Sequence, residues 1–358
     1  TTGRTLLFSM CYDLKISRFT LNDKLLRLFT NALKLKMTEK FNPKPWARNP
    51  HVQTFFKSLK LMAPSKNSMV DCAQKMIIDG GDDVRLLGYH SRHPDNSGKG
   101  LMMLLHGWEG SSDSVYILRA GKYFFDNGYD IFRLNLRDHG DSHHLNEGLF
   151  HGGLIEETMT ATQNIADLSR GKPFYVVGFS LGGNFALRIA LKQKEAETEN
   201  LIHIFSISPV MDPHKTTVVI DRNNPFYRNY FLKKWMRSLR KKQDAFPDTY
   251  KIDEVFKMKT VMEVTDYIIP GYSHFKNHEE YFGTYTLLGN TFDKLSKPVT
   301  IITSEDDPVI PVNDFYGLQD HDNLNLLVQR YGGHCGFLDP FPFGCWYERK
   351  IDSILKNY

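Results

Sequence analysis

The sequence predicts an α/β fold: a mostly parallel central sheet with helices on both faces and an inserted helical cap. Three observations carry that expectation. Wholly apolar runs at residues 101–105 and 173–177, and mostly apolar ones at 201–207 and 299–303, read as strands of a buried sheet. Stretches with helical periodicity separate them, the pattern of a parallel sheet. The connection between the last two runs is roughly ninety residues long, far beyond an ordinary crossover, and so holds structure of its own.

In chain order, residues 1–40 are basic and amphipathic, with Leu21, Leu25, Phe29 and Leu33 recurring every four residues among lysines and arginines. They read as a helix packed on the main domain, with an interfacial helix on a membrane surface as the alternative. Residues 41–56, with three prolines and a Trp, read as an ordered, irregular lead-in. Residues 75–78 and 84–89 flank Asp79-Gly80-Gly81-Asp82-Asp83 as a hairpin. The buried strand 101–105 then leads through His106-Gly107-Trp108 to a helix over 114–126, a strand over 129–136 and a helix over 153–169. After strand 173–177 come a sharp turn, a helix over 184–192 and strand 201–207. Residues 211–288 form the cap, and strands 299–303 and 323–330 with a helix over 346–355 close the chain. The division is therefore 1–70 for the N-terminal segment and lead-in, 71–210 and 289–358 for the two parts of the core, and 211–288 for the cap.

The turn Gly178-Phe179-Ser180-Leu181-Gly182-Gly183 is the chemical centre of this plan. G-x-S-x-G between a strand and a helix is a nucleophile elbow: the serine occupies a strained turn that lifts its hydroxyl clear of the sheet. Side chains at 178 and 182 would collide with the neighbouring strand and helix. The helix N-terminus behind Ser180 favours negative charge where an oxyanion would form. In this arrangement an acid and then a histidine follow, each on a loop after a later strand. The run Glu305-Asp306-Asp307-Pro308 offers the acid; Asp307 is chosen for its short apolar step to Pro311, with Asp306 the rival. Gly332-Gly333-His334-Cys335-Gly336 supplies the histidine on a loop that glycines let bend. Ser180 is then the nucleophile, His334 its base, and Asp307 the group that orients and stabilises the imidazolium. Two N–H donors for an oxyanion are expected from Leu181 and, through the His106-Gly107 turn, from Trp108.

Net charge is +4, too weak an excess to argue for nucleic acid. Cys11, Cys72, Cys335 and Cys345 have neither metal-ligand spacing nor a disulfide rhythm, which points to a reducing, cytoplasmic setting. No apolar run reaches the ~20 residues of a membrane span. Asp138-His139-Gly140-Asp141-Ser142-His143-His144 has the composition of a metal site but reads as a solvated loop at the site entrance. Residues 222–242 carry seven lysines and arginines beyond Arg222 and no acid, with Phe231, Trp235 and Leu239 as an apolar stripe. They read as a cap helix with a solvated outer face, attraction to an anionic lipid or acidic substrate being the alternative. Cys335 reads as a buried, inert thiol.

Beyond its separate motifs the chain resembles the YheT-like branch of the α/β hydrolases, which includes abhydrolase-domain lipases and medium-chain ester enzymes. The matching segments are Asn49-Pro50-His51-Val52-Gln53-Thr54, His106 to Ser112, Gly178 to Gly183, Glu305 to Pro308 and Gly332 to Phe337. The resemblance covers residues 41–355 and implies a serine-dependent, cofactor-free esterase or lipase-like enzyme under a helical cap. The expected reaction is cleavage of a short- to medium-chain acyl ester or lipid-like ester through an acyl-Ser180 intermediate. An acyltransferase with the same triad and an alcohol acceptor, or a non-catalytic binding protein on this fold, are the alternatives. The expected partner is a small ester or lipid, with peripheral membrane contact through the N-terminal segment or the cap as an added option.

Overall fold

Strands β1 (Gln74–Asp79) and β2 (Arg85–Ser91) form the hairpin that opens the sheet, and β3 (Leu101–Leu105), β4 (Asp130–Leu134), β5 (Phe174–Phe179), β6 (Leu201–Ile207), β7 (Val299–Ser304) and β8 (Leu324–Gln329) follow. The computed structural model describes residues 40–56, 66–223, 225–339 and 344–358. The amphipathic pattern of residues 1–39 lies outside the described residues. The eight strands pair in the order β1-β2-β4-β3-β5-β6-β7-β8. β1–β2 and β2–β4 are antiparallel, and every pairing from β4 to β8 is parallel.

β3, β4 and β5 are buried at every position; β3 and β5 appear in the sequence as unbroken apolar runs for that reason, while β4 buries Asp130 and Arg133 among its apolar residues. Alternate residues still serve different faces. Leu101, Met103 and Leu105 of β3 pack with helices α4 (Ile155–Asp167) and α5 (Leu181–Lys192). Met102 and Leu104 pack on the other side with α3 (Val115–Asp126) and the closing helix, α11 (Trp346–Leu355).

The strand order reverses at β3, with β4 on one side and β5 on the other. Loops leaving the carboxyl ends of β3 and β5 therefore part, and a crevice opens between them. Over it lie α6 (Pro213–Asn223), α7 (Pro225–Ala245), α8 (Val261–Tyr272) and α9 (His278–Gly283). These helices have a small core of their own, around Leu232, Leu239, Tyr250, Ile252, Val255, Val264 and Ile268. Thr260 and Glu263 form a capping box at the start of α8, and Asp221 of α6 accepts from the N–H groups of Val261 and Met262. The lead-in carries α1 (Pro50–Phe56) and the single turn α2 (Ser68–Asp71). Another single turn, α10 (Asn313–Tyr316), follows β7; β9 (Leu338–Asp339) and β10 (Gly344–Cys345) pair before α11. The described residues from Phe41 to Tyr358 form one compact unit. None of the described helices is long and apolar enough to cross a membrane.

Candidate active site

Ser180 stands between β5 and α5 with φ 54° and ψ −118°, a left-handed conformation that a non-glycine residue adopts only at a cost of about 1–3 kcal/mol. The glycines around it are required by contact. A Cβ at Gly178 would lie 2.2 Å from the carbonyl oxygen of Gly182, and one at Gly182 would lie 2.4 Å from that of His106. The elbow is thus wedged between its own helix and the loop after β3.

His334 follows β8 and Asp307 follows β7. Asp307 Oδ2 is 2.9 Å from His334 Nδ1, and His334 Nε2 is 2.9 Å from Ser180 Oγ. The imidazole is buried and the Asp307 side chain fully so. A nitrogen facing a carboxylate carries the proton, so Nδ1–H donates to Asp307 and Nε2 is left to accept from the serine hydroxyl. The other Asp307 oxygen accepts from the N–H groups of Val309 and Ile310, which fixes the carboxylate plane. Asp306 faces elsewhere: its Oδ1 accepts from the N–H of Gly333 and so ties the histidine loop to β7.

The loop after β3 lies directly against the nucleophile. A Cβ at Gly107 would stand 3.0 Å from Ser180 Cβ. Burial holds His106 well below the ordinary histidine pKa, so its ring is neutral. Its Nε2 accepts from the Leu136 N–H, and its Nδ1–H donates to the Gly107 carbonyl, 2.8 Å away. Holding that carbonyl back turns the opposite end of the same peptide, the Trp108 N–H, the other way. The Tyr116 hydroxyl accepts from the Gly107 N–H, and His139 Nε2 accepts from the Glu109 N–H. Trp108 N–H makes no hydrogen bond among the described residues, and Leu181 N–H is the first of α5, without an intrahelical acceptor.

A family model described as the α/β hydrolase fold matches residues 100–254. An esterase from Pyrococcus furiosus superposes with a TM-score of 0.51 at 18% identity, covering 80% of this chain and 92% of that one. A serine hydrolase from Cycloclasticus zankles gives 0.52 at 16%, covering 79% and 98%. The chain has the α/β-hydrolase fold. Among curated relatives, Phospholipase ABHD3 of Mus musculus is 22% identical over 90% of this chain and 78% of its own length. An abhydrolase domain-containing protein of Dictyostelium discoideum is 22% identical over 95% and 86%.

Within this fold the crevice beside Ser180 is a cleft with about 670 Å³ of empty space, part of it open to solvent. Trp108, Leu181 and Val210 line its floor, and Ile220, Val261 and Ile269 belong to the cap side. The Trp108 ring stacks on Phe231 at 5.6 Å and meets Trp235 edge-on at 5.2 Å, so the loop after β3 and α7 are locked together.

The basic residues of α7 divide in a way their spacing does not show. Lys234 donates to the Glu109 carbonyl, and Lys242 is fully buried, while Lys233 and Arg237 face solvent. Lys242 Nζ reaches Asp138 Oδ1 at 2.8 Å and the carbonyls of Asn146 and Gly148 at 2.6 and 3.1 Å. Asp138 and His139 of the histidine-rich loop are committed to such contacts; the His139 ring is neutral, its pKa pushed down to about 4 by burial. No cluster of metal-ligating side chains occurs among the described residues. Cys335 is buried, with Sγ 3.5 Å from the Ile207 carbonyl oxygen.

Proposed function

We propose that the protein is a serine esterase that cleaves carboxylic esters of lipid-like character through an acyl-Ser180 intermediate. The observation that carries this reading is the line Ser180 Oγ, His334, Asp307, with 2.9 Å at each step, beside an apolar cleft. Relatives named as a phospholipase, a monoacylglycerol lipase and a putative esterase support the same class. The segment Asn49 to Thr54 supports the finer placement in the YheT-like branch.

In the first half-reaction His334 Nε2 takes the proton of Ser180 Oγ as that oxygen bonds to the ester carbonyl carbon, and Asp307 stabilises the imidazolium. The carbonyl oxygen becomes an oxyanion held by the N–H groups of Trp108 and Leu181, aided by the N-terminus of α5. Collapse breaks the bond to the alkoxy oxygen, and His334 gives its proton to the departing alcohol. In the second, His334 removes a proton from water as the water oxygen attacks the acyl carbon. The carboxylic acid leaves, and the proton returns to Ser180. The apolar cleft takes the acyl chain, and no cofactor enters either step.

The test is hydrolysis of p-nitrophenyl esters of increasing chain length by the wild type and by Ser180→Ala, with products analysed in the presence and absence of glycerol. Release of free acid by the wild type alone supports the reading. Acyl transfer to glycerol in preference to water would make the protein an acyltransferase, and a folded wild type without either activity would make it a binding protein.

A further inference from the structure

Helix α1 carries the Asn-Pro-His-x-Gln-Thr segment from the segment's second residue on, and none of the helix's side chains enters the chemistry described above. Its contacts lead to the histidine loop. Thr54 Oγ donates its hydrogen to the Pro50 carbonyl at 2.7 Å and accepts the backbone N–H of His334 at 2.9 Å. Gln53 is fully buried; its Oε1 accepts from the Leu338 N–H at 2.7 Å and its Nε2 donates to the Ala47 carbonyl at 2.6 Å. The helix therefore grips the loop at His334 and again four residues on. The fit leaves no slack: a Cβ at Gly333 would lie 2.5 Å from the Pro50 carbonyl oxygen, and one at Gly336 would lie 2.5 Å from that of Gln53. On the opposite side, Phe55 stacks flat on Tyr227 of α7 at 5.3 Å, and His51 Nδ1 is 2.8 Å from the Tyr227 hydroxyl. One short helix thus joins the cap to the backbone of His334.

We propose that α1 is a positioning strut for the base: Thr54 sets the place of His334 against Ser180, Gln53 fixes the far end of the loop, and Tyr227 ties the strut to the cap. Thr54 and Gln53 are positioning residues, acting through His334 and not on substrate. The proposal rests on the serine-esterase reading. A hydroxyl that both donates and accepts cannot be replaced by a methyl group without freeing the His334 N–H, and displacement of a reacting group by about 1 Å costs about 10²-fold in rate.

The experiment compares wild type with Thr54→Val and Thr54→Ser in the full chain. The readouts are kcat and KM on a p-nitrophenyl ester, the rate of fluorophosphonate labelling, and the downfield proton resonance of His334 Nδ1–H. Thr54→Val is expected to lose about 10- to 100-fold in kcat and labelling rate at unchanged KM, with the resonance shifted or broadened. Thr54→Ser, which restores the hydroxyl, is expected within about threefold of wild type. If Thr54→Val does not fold, Thr54→Cys, of similar size and a weak acceptor, carries the same expectation. A valine variant with wild-type kcat and resonance overturns the strut, as does a serine variant that falls as far as valine. A wild type that hydrolyses no ester would sink the esterase reading, and the resonance comparison would still decide the strut.

Discussion

Replacing Lys242 with alanine is expected to be the most damaging single change in the cap that leaves the triad and its hydrogen bonds intact. Lys242 is fully buried, and its ammonium group supplies hydrogen bonds to Asp138 Oδ1 and to the carbonyls of Asn146 and Gly148. Alanine removes every one of these donors and leaves the Asp138 carboxylate, among the described residues, with the Phe150 N–H as its hydrogen-bond donor and Arg137 as a nearby positive charge. Breaking a buried ion pair from one side costs about 3–5 kcal/mol. At about 2 °C per kcal/mol, the lower end for large domains, the melting temperature should fall by roughly 6–10 °C. Burial already raises the Asp138 pKa in spite of Lys242, and removing the lysine raises it further. A carboxyl whose pKa is raised in the folded state favours folding while protonated and ceases to do so as pH rises through that pKa. The loss in Lys242→Ala should therefore be largest at a pH above the raised Asp138 pKa and smaller at a pH below it. Urea unfolding of wild type and variant at both pH values measures it. Asp138→Asn with Lys242→Met, which removes both charges, should recover part of the loss. A deficit under about 1 kcal/mol, or one of equal size at both pH values, would refute the reasoning.

Other substitutions separate neighbouring roles. Asp307→Asn removes the carboxylate that faces His334 Nδ1 and should lower kcat by about 10⁴-fold. Asp306→Asn keeps an amide oxygen for the Gly333 N–H and should stay within about tenfold in steady-state ester hydrolysis; the reverse order would assign the acid to Asp306. Gly182→Ala places a Cβ 2.4 Å from one backbone oxygen and 2.5 Å from another, and should cost about 1–3 kcal/mol in urea unfolding. Because those oxygens belong to Leu105 and His106, at the root of the oxyanion loop, activity should fall by more than the stability loss explains.

Much of the sheet was legible because its central strands are buried on both faces. β3, β6 and the closing helix α11 have the bounds expected from pattern alone, since each is an apolar or amphipathic run with a sharp polar edge. Helix α5 begins three residues earlier than its apolar pattern, at Leu181, because Gly182 and Gly183 in its first turn carry no side chain for a periodicity to mark. The choice of Asp307 over Asp306 came from spacing, and the two carboxylates do face different partners. What the sequence did not disclose depends on contacts across long separations. Lys242 belongs by composition to a basic, solvated face, and only the arrival of Asp138, more than a hundred residues earlier, buries it. The segment Asn49 to Thr54 was visible as a motif, but its grip on His334 spans 280 residues of chain and has no local signal.

The central claim is that Ser180 becomes acylated. Intact-protein mass spectrometry, after rapid mixing with a p-nitrophenyl ester and acid quench, tests it directly. The account predicts an adduct of one acyl mass within the first turnover, located on the peptide that contains Ser180 and absent from Ser180→Ala. Ester turnover without that adduct, or with the adduct on another residue, would contradict it.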